Sequence, residues 1–285
     1  MILSASWRTD IPAFYGRWFL ARLAAGWVEV ANPYGGPTSR IDLNPASIRA
    51  VVFWTRNPAP FDAGLAACRA RTWPFVVQMS VTGLPRAIER SAPAPESAVQ
   101  MLRDLARQYG PKAAVWRFDP ILVSTATPPA ERRETFARLA KSLAGAVDEV
   151  VVSFAQPYAK TRRNLAGLDW RDPPIDEKQT LLRDLASIAA EQGMALTLCT
   201  QPSLVDDTAD LVAARCIDTA RLSEVAGRAI EAPERGNRPG CRCAASRDIG
   251  AYDSCAMGCG YCYAVRTRER AQARLAAHDP DSPRL

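Results

Sequence analysis

The chain has 285 residues, 48% of them hydrophobic and 23% charged, with a formal net charge of +6. This balance excludes a disordered chain, and the length predicts one large α/β barrel or two modest domains. No apolar run is long enough to span a bilayer, and no basic stretch leads into an apolar core at the N-terminus, so a soluble, cytoplasmic protein without a membrane partner is expected.

Short apolar runs alternate with amphipathic stretches along the chain. The runs predict strands over 2–6, 28–32, 50–54, 75–80, 113–118, 149–154 and 195–199. Helical periodicity predicts helices near 13–25, 60–70, 95–109, 130–145, 175–192 and 220–231. Repeated β-α alternation implies parallel strands with crossover helices, hence an α/β fold of the (β/α) TIM-like barrel type over residues 1–232, incomplete if only seven units are present. No glycine-rich dinucleotide turn follows the first run, which continues as Ser4-Ala5-Ser6-Trp7-Arg8-Thr9-Asp10. Proline-rich segments around 83–95, 120–129 and 170–175 read as loops between units. From Pro233 onward Arg, Gly, Pro and Cys dominate, so residues 233–285 predict a cysteine-rich segment ordered by metal ligation. A helix near 264–277 and a frayed polar tail, 279–285, are expected to follow.

Polar residues recur where the apolar runs stop. Arg8, Thr9 and Asp10 follow the first; Thr55, Arg56 and Asn57 follow the third; Gln78 and Ser80 lie in the fourth; the fifth contains Arg117 and is followed by Asp119. The sixth leads through Ser153 to Gln156 and Tyr158, and the seventh ends at Cys199. In a barrel these C-terminal strand ends converge on one mouth, although strand ends are also polar simply because they meet solvent. Asp10, Arg56, Asn57, Gln78, Arg117, Asp119 and Ser153 are therefore the candidates for cofactor and substrate contacts, with Asp10, Arg117 and Asp119 the catalytic candidates. Arg117 lies among large apolar groups, where an unpaired charge is costly, so either it forms part of a site or it pairs with Asp119.

Eight cysteines without a disulfide-type context, and a single histidine, His278, leave little material for histidine-based metal sites or Ser-His-Asp catalysis. Cys68, in an alanine-rich helix face, reads as a buried thiol. Cys255, Cys259 and Cys262 have the spacing C-x3-C-x2-C, which suits three irons of a 4Fe–4S cubane and leaves the fourth iron open. Gly258 and Gly260 let the backbone curl around an inorganic core, and Tyr261 is placed to shield it from water. Cys199, Cys216, Cys241 and Cys243 supply four further thiols, the count for a second, closed 4Fe–4S cluster; isolated thiols and zinc are the competing explanations. Only Cys259 and Cys262 show the C-x2-C pairing common in structural zinc sites. The basic balance and the arginine-rich last helix admit nucleic acid as a partner, but a solvated helix face explains them more simply.

The three-cysteine motif, with an aromatic before the last thiol, resembles the signature of radical S-adenosylmethionine enzymes. That resemblance implies a (β/α) barrel and a 4Fe–4S cluster whose open iron is chelated by S-adenosylmethionine. It also implies reductive cleavage to a 5′-deoxyadenosyl radical and an electron donor such as flavodoxin or ferredoxin. The strings Ser4-Ala5-Ser6-Trp7-Arg8-Thr9-Asp10-Ile11-Pro12, Val52-Phe53-Trp54-Thr55-Arg56-Asn57-Pro58, Trp116-Arg117-Phe118-Asp119-Pro120 and Asp248-Ile249-Gly250-Ala251-Tyr252-Asp253 resemble the domain of unknown function 1848 family over nearly the whole chain. That family is similar to radical S-adenosylmethionine enzymes with the cysteine motif moved to the C-terminal end; it implies no substrate. Two departures from the usual radical pattern stand out. The motif follows at least seven predicted strands instead of the first, which a circular permutation reconciles if residues 240–277 pack beside the strand begun at Ile2. No Gly-Gly-Glu strand is present, and Gly35-Gly36-Pro37 reads as a turn. The expectation is an iron–sulfur enzyme of radical type acting on an unknown substrate. The alternatives are a non-catalytic iron–sulfur electron-transfer protein and a zinc-stabilised nucleic-acid-binding protein.

Overall fold

The computed structural model describes residues 1–204 and 211–285. The chain opens with β1 (Ile2–Ala5), α1 (Ile11–Phe14), α2 (Gly16–Ala25), β2 (Trp27–Val30), β3 (Ser39–Asp42), β4 (Ala50–Thr55), α3 (Asp62–Ala70) and β5 (Phe75–Ser80). It continues through α4 (Pro95–Tyr109), β6 (Ala114–Ile121), β7 (Val123–Ser124), α5 (Pro129–Leu143), β8 (Glu149–Phe154), α6 (Ala159–Asn164) and β9 (Trp170–Arg171). The last elements are α7 (Ile175–Glu191), β10 (Ala195–Leu198), β11 (Val212–Ala213), α8 (Thr219–Ala226), β12 (Ser246–Asp248) and α9 (Arg268–Ala276).

Eight strands form one sheet in the order β11-β10-β8-β6-β5-β4-β1-β12, and every neighbouring pair is parallel. Parallel pairing follows from the long crossovers, because a strand can return beside its predecessor in the same direction only through an intervening segment such as a helix. Among the described residues β11 and β12 pair with no further strand, so the eight-stranded sheet is not seen to close into the expected barrel there. The predicted strand at 28–32 does not join it. Residues Trp27–Val30 instead pair antiparallel with Ser39–Asp42 in a separate hairpin, whose connection carries Gly35 and Gly36 at φ of 88° and 104°. A connection of this length suits a hairpin and is too short for a crossover helix.

Register divides the strand residues between two faces, because alternate side chains point to opposite sides of a strand. Leu3, Val51, Phe53, Val77, Trp116, Phe118, Val150 and Val152 point one way and bury against Phe19 and Leu23 of α2, Leu65 and Cys68 of α3, Leu102 of α4, Phe136 of α5 and Leu182 of α7. Cys68 is thus the buried thiol expected of it. Each fully buried Leu or Phe here contributes about 1.5–3 kcal/mol over exposure. On α4, Val99, Leu102, Leu105 and Ala106 recur at helical spacing, while Pro95 opens the helix and Gly110, at φ 94°, ends it.

The opposite face changes character along each strand. Its N-terminal positions, Ile2, Ala50, Val52, Val76, Val115 and Val151, are apolar and pack on Ile217, Leu222 and Ile230 around α8. The C-terminal positions on the same face, among them Ser6, Trp54, Gln78, Ser80, Arg117, Asp119, Ser153 and Cys199, are mostly polar. One half of this face therefore builds core, and the other half is left to line a site.

The tail is docked rather than frayed. The Trp18 indole donates to the Ser282 carbonyl (3.0 Å), Arg22 Nη2 to the Asp281 carbonyl (2.8 Å) and the Glu29 amide to the Pro283 carbonyl (2.9 Å), and Leu285 is buried. Donors on α2 and β2 need acceptors once buried, and the tail supplies them. No helix among the described residues is long and apolar enough to cross a membrane.

Candidate functional site

The three motif thiols sit on the loop between β12 and α9. β12 holds this loop at the sheet edge by pairing Ile2 with Ser246 and Ser4 with Asp248. Asp248 then ties the two strand ends together. Its carboxylate accepts from Ser4 Oγ (2.6 Å), Ser6 Oγ (2.8 Å), Arg8 Nε (2.9 Å) and the Gly250 amide (3.0 Å). Further along, the Tyr15 hydroxyl donates to the Ser254 carbonyl (2.7 Å), the Ser254 and Thr9 hydroxyls meet at 2.7 Å, and Asp253 accepts from the Arg266 amide (2.7 Å). Gly258 adopts φ +76°, and a Cβ there would press on Arg268 Cδ at 2.9 Å, so glycine suits this turn.

A second segment grips the motif from the other side. Residues 88–91 run antiparallel to it, with Gly260 N–H bonded to the Ile88 carbonyl (2.8 Å) and Ser91 N–H to the Met257 carbonyl (3.1 Å). This brings Glu89 into the site, and nothing in the sequence reading singled Glu89 out. Glu89 is buried and pairs with Arg56 Nη2 at 2.7 Å, while its Oε1 accepts from the Tyr261 hydroxyl (2.6 Å) and the Thr82 hydroxyl (2.6 Å). Arg56 also donates to the Tyr261 hydroxyl. Arg56 and Tyr261 thus form one buried, charge-assisted network beside Cys259.

A cavity of about 1020 Å³ opens over the C-terminal ends of the strands. Asp10, Arg56, Arg117, Asp119, Ser153 and Tyr261 line it, as do Cys199, Cys216, Cys241, Cys243, Cys255, Cys259 and Cys262. Asn57 and Gln78 do not. The Asn57 side chain accepts the Ala59 amide in a turn (3.2 Å), and Gln78 lies beneath the cavity, donating to the Cys216 carbonyl (3.1 Å) and accepting from Arg117 (3.1 Å). Arg117 forms the expected pair with Asp119 (2.5 Å) and also donates to Cys216 Sγ (3.0 Å) at the cavity wall. Asp119 also accepts from Ser153. Lys160, Arg235 and Arg238 add positive charge to the wall. His278 packs against Tyr15 and Trp18.

Burial sets the protonation of these groups. Desolvation raises the Asp10 carboxyl to about 6, against the opposing hydrogen bonds from the Arg56 amide (2.8 Å), the Thr55 hydroxyl (2.7 Å) and the Ala13 amide (3.0 Å). The same cause holds Cys255 and Cys262 above the usual thiol range and raises Cys259 to about 12. Among the described residues no three Cys, His, Asp or Glu side chains are gathered tightly enough to hold a single metal ion.

Fold and site together define a cysteine-rich α/β protein with a parallel sheet whose strand ends open onto a thiol-lined cavity. A family model, Domain of unknown function (DUF1848), matches residues 2–264, and the chain belongs to that family. No curated protein matches it. Among solved structures, one described as the crystal structure of D-hydantoinase is similar at a TM-score of 0.33 and 10% identity, over 70% of this chain and 40% of that one. The chain therefore spans well under half the length of that structure.

Proposed function

We propose that this protein is an iron–sulfur enzyme of the radical S-adenosylmethionine type, in which Cys255, Cys259 and Cys262 hold one 4Fe–4S cluster. The observation that carries this reading is the position of the three thiols. They lie on one loop, half-buried at the wall of a large cavity, after a strand parallel to β1 and before a helix. Strand, motif and helix in that order form one βα unit, so residues 233–285 supply the cluster segment of a circularly permuted, barrel-derived fold whose remainder is 1–232. The donor set also fits. Cys255, Cys259 and Cys262 all line the cavity wall, and three thiolates suit a cubane that keeps one iron open.

When bound, such a cluster with S-adenosylmethionine supplies one electron to break the sulfonium bond and start radical chemistry. The chain's own residues shape the surroundings. The pair of Glu89 and Arg56 fixes Tyr261 over the motif, which limits water beside Cys259. Arg117 and Asp119 neutralise one another at the cavity wall, and the basic residues Lys160, Arg235 and Arg238 suit a cofactor or substrate carrying a carboxylate or other anion. A protein reductant, of the flavodoxin or ferredoxin kind, is the implied partner.

The test is anaerobic reconstitution of the full chain with iron and sulfide, followed by dithionite and S-adenosylmethionine. Methionine and 5′-deoxyadenosine are expected, and Cys259→Ala is expected to abolish both. A fully loaded cluster that cleaves nothing would make the protein an electron carrier, and zinc in place of iron would end the radical reading.

A further inference from the structure

Four of the thiols that line the cavity take no part in the motif, and they come from three separate segments. Cys199 directly follows β10, Cys216 lies between β11 and α8, and Cys241 and Cys243 sit on a loop closed by a bridge between Glu234 and Ala244. That loop is fixed by the Arg235 amide bonding to the Cys243 carbonyl (2.9 Å) and the Cys241 amide to the Arg238 carbonyl (3.1 Å). Despite separations of up to 44 residues in sequence, all four thiols line the same cavity. Cys216 Sγ lies 3.7 Å from Cys199 Sγ, and the amide of Ile217, the residue after Cys216, reaches Cys243 Sγ on the neighbouring loop.

N–H donors are aimed at these sulfurs. Arg117 Nη1 donates to Cys216 Sγ (3.0 Å), the Ile217 amide to Cys243 Sγ (3.4 Å) and Arg238 Nη2 to Cys199 Sγ (3.9 Å). Such donors stabilise negative charge on sulfur, which neutral buried thiols do not need. Apolar packing by Ile217, Leu222 and Ile230 covers the cluster from one side. The backbone carries a further mark: Thr200 and Gln201, immediately after Cys199, both adopt left-handed φ, 50° and 92°. Side chains rarely tolerate that region, so the surroundings hold it, here by paired bonds between the Gln201 amide group and the Phe154 backbone (2.8 and 3.3 Å). Strain fixed beside a cavity thiol is characteristic of a built site.

We propose that Cys199, Cys216, Cys241 and Cys243 form a second, closed metal centre of four thiolates. It is separate from the three-thiol motif and stands whether or not the motif cleaves S-adenosylmethionine. As placed, the Cys216 thiol donates to Cys199 Sγ. Metal binding replaces the thiol protons and draws the thiolates around either a single soft ion or a cubane. Both centres would face one cavity, with Arg117 on the wall beside the second.

The test uses the full chain carrying Cys255→Ala, Cys259→Ala and Cys262→Ala together, so that the motif contributes nothing. Iron with sulfide, zinc, and cobalt(II) are supplied in separate anaerobic samples. Metal and acid-labile sulfide are counted, and thiolate-to-cobalt charge-transfer absorption is recorded. About four irons with matching sulfide would identify a cubane, and about one zinc or cobalt with intense charge-transfer bands a mononuclear site. Either supports the proposal, provided that adding Cys199→Ser and Cys243→Ser removes the metal. If the triple variant does not fold, the otherwise unaltered chain is compared with and without Cys199→Ser and Cys243→Ser, and loss of its second metal complement is the expected result. The proposal is overturned if the triple variant folds and binds no metal, if the serine changes leave the count unaltered, or if the four thiols prove to be paired as disulfides in the protein as isolated.

Discussion

Glu89→Gln isolates the charge on which the network beside the motif depends. The amide keeps an oxygen for the Thr82 and Tyr261 hydroxyls but no longer balances Arg56, whose guanidinium is buried. At the 2.7 Å separation and an effective dielectric near 20, the lost attraction is about 6 kcal/mol before solvation and the neighbouring Asp10 charge are counted. An uncompensated buried charge costs about 3–5 kcal/mol, and Asp10 offsets part of it, so a net loss of about 3 kcal/mol is expected at pH 7.5. That corresponds to roughly a hundredfold change in the folded-to-unfolded ratio and, with a urea slope near 3 kcal/mol/M, a midpoint lowered by about 1 M. Urea titration followed by circular dichroism and tryptophan fluorescence reads it directly. Combining Glu89→Gln with Arg56→Met should recover much of the loss, because the orphaned charge is then gone. A midpoint within about 0.3 M of the parent for Glu89→Gln, or strict additivity in the double variant, would refute the reasoning.

Asp10 predicts a pH dependence of the opposite sense to an ordinary ion-paired carboxylate. Its folded value of about 6 lies above the unfolded 3.8, so its contribution is fully present below pH 3.8 and is lost as pH rises through 6, by about 3 kcal/mol in total. Comparing denaturation of the parent chain and Asp10→Asn at pH 4.5 and 7.5 should show the parent losing stability relative to the variant over that interval; parallel curves would contradict it. Gly250→Ala should destabilise by about 1–3 kcal/mol or more, since the new Cβ would lie 2.0 Å from Ser6 Oγ and 2.7 Å from Ser6 Cβ, and an unchanged melting temperature would argue against so close an approach. Metal loading at neutral pH should release protons, because burial raises the thiols of Cys255, Cys259 and Cys262 above their ordinary range. Proton release measured in weakly buffered solution should grow with metal uptake, and uptake without release would mean that the thiols were already ionised.

Local patterns proved readable wherever one short stretch of chain contains its own reason to fold. The helix at 95–109 coincides with α4 and the strands at 75–80 and 149–154 with β5 and β8, because apolar spacing and flanking proline or glycine are complete within each segment. The C-x3-C-x2-C spacing is equally local. The strand at 28–32 misled because an apolar run does not state its partner, and here the partner is the neighbouring β3. β12 escaped notice because Ser246-Arg247-Asp248 has no apolar run; it is a strand because the edge of β1 offers it hydrogen bonds.

Sequence alone determined the alternation of strand and helix, the C-x3-C-x2-C spacing and the polar ends of the strands, since each follows from residue type and short-range spacing. Tertiary structure alone decided that Glu89 meets Arg56, that Asp248 joins the chain's two ends, and that Cys199, Cys216, Cys241 and Cys243 come together. The longest of those contacts joins residues 244 positions apart. Their stability comes from pairing charge and satisfying buried donors after the sheet has brought them together, and no local pattern in the chain records that.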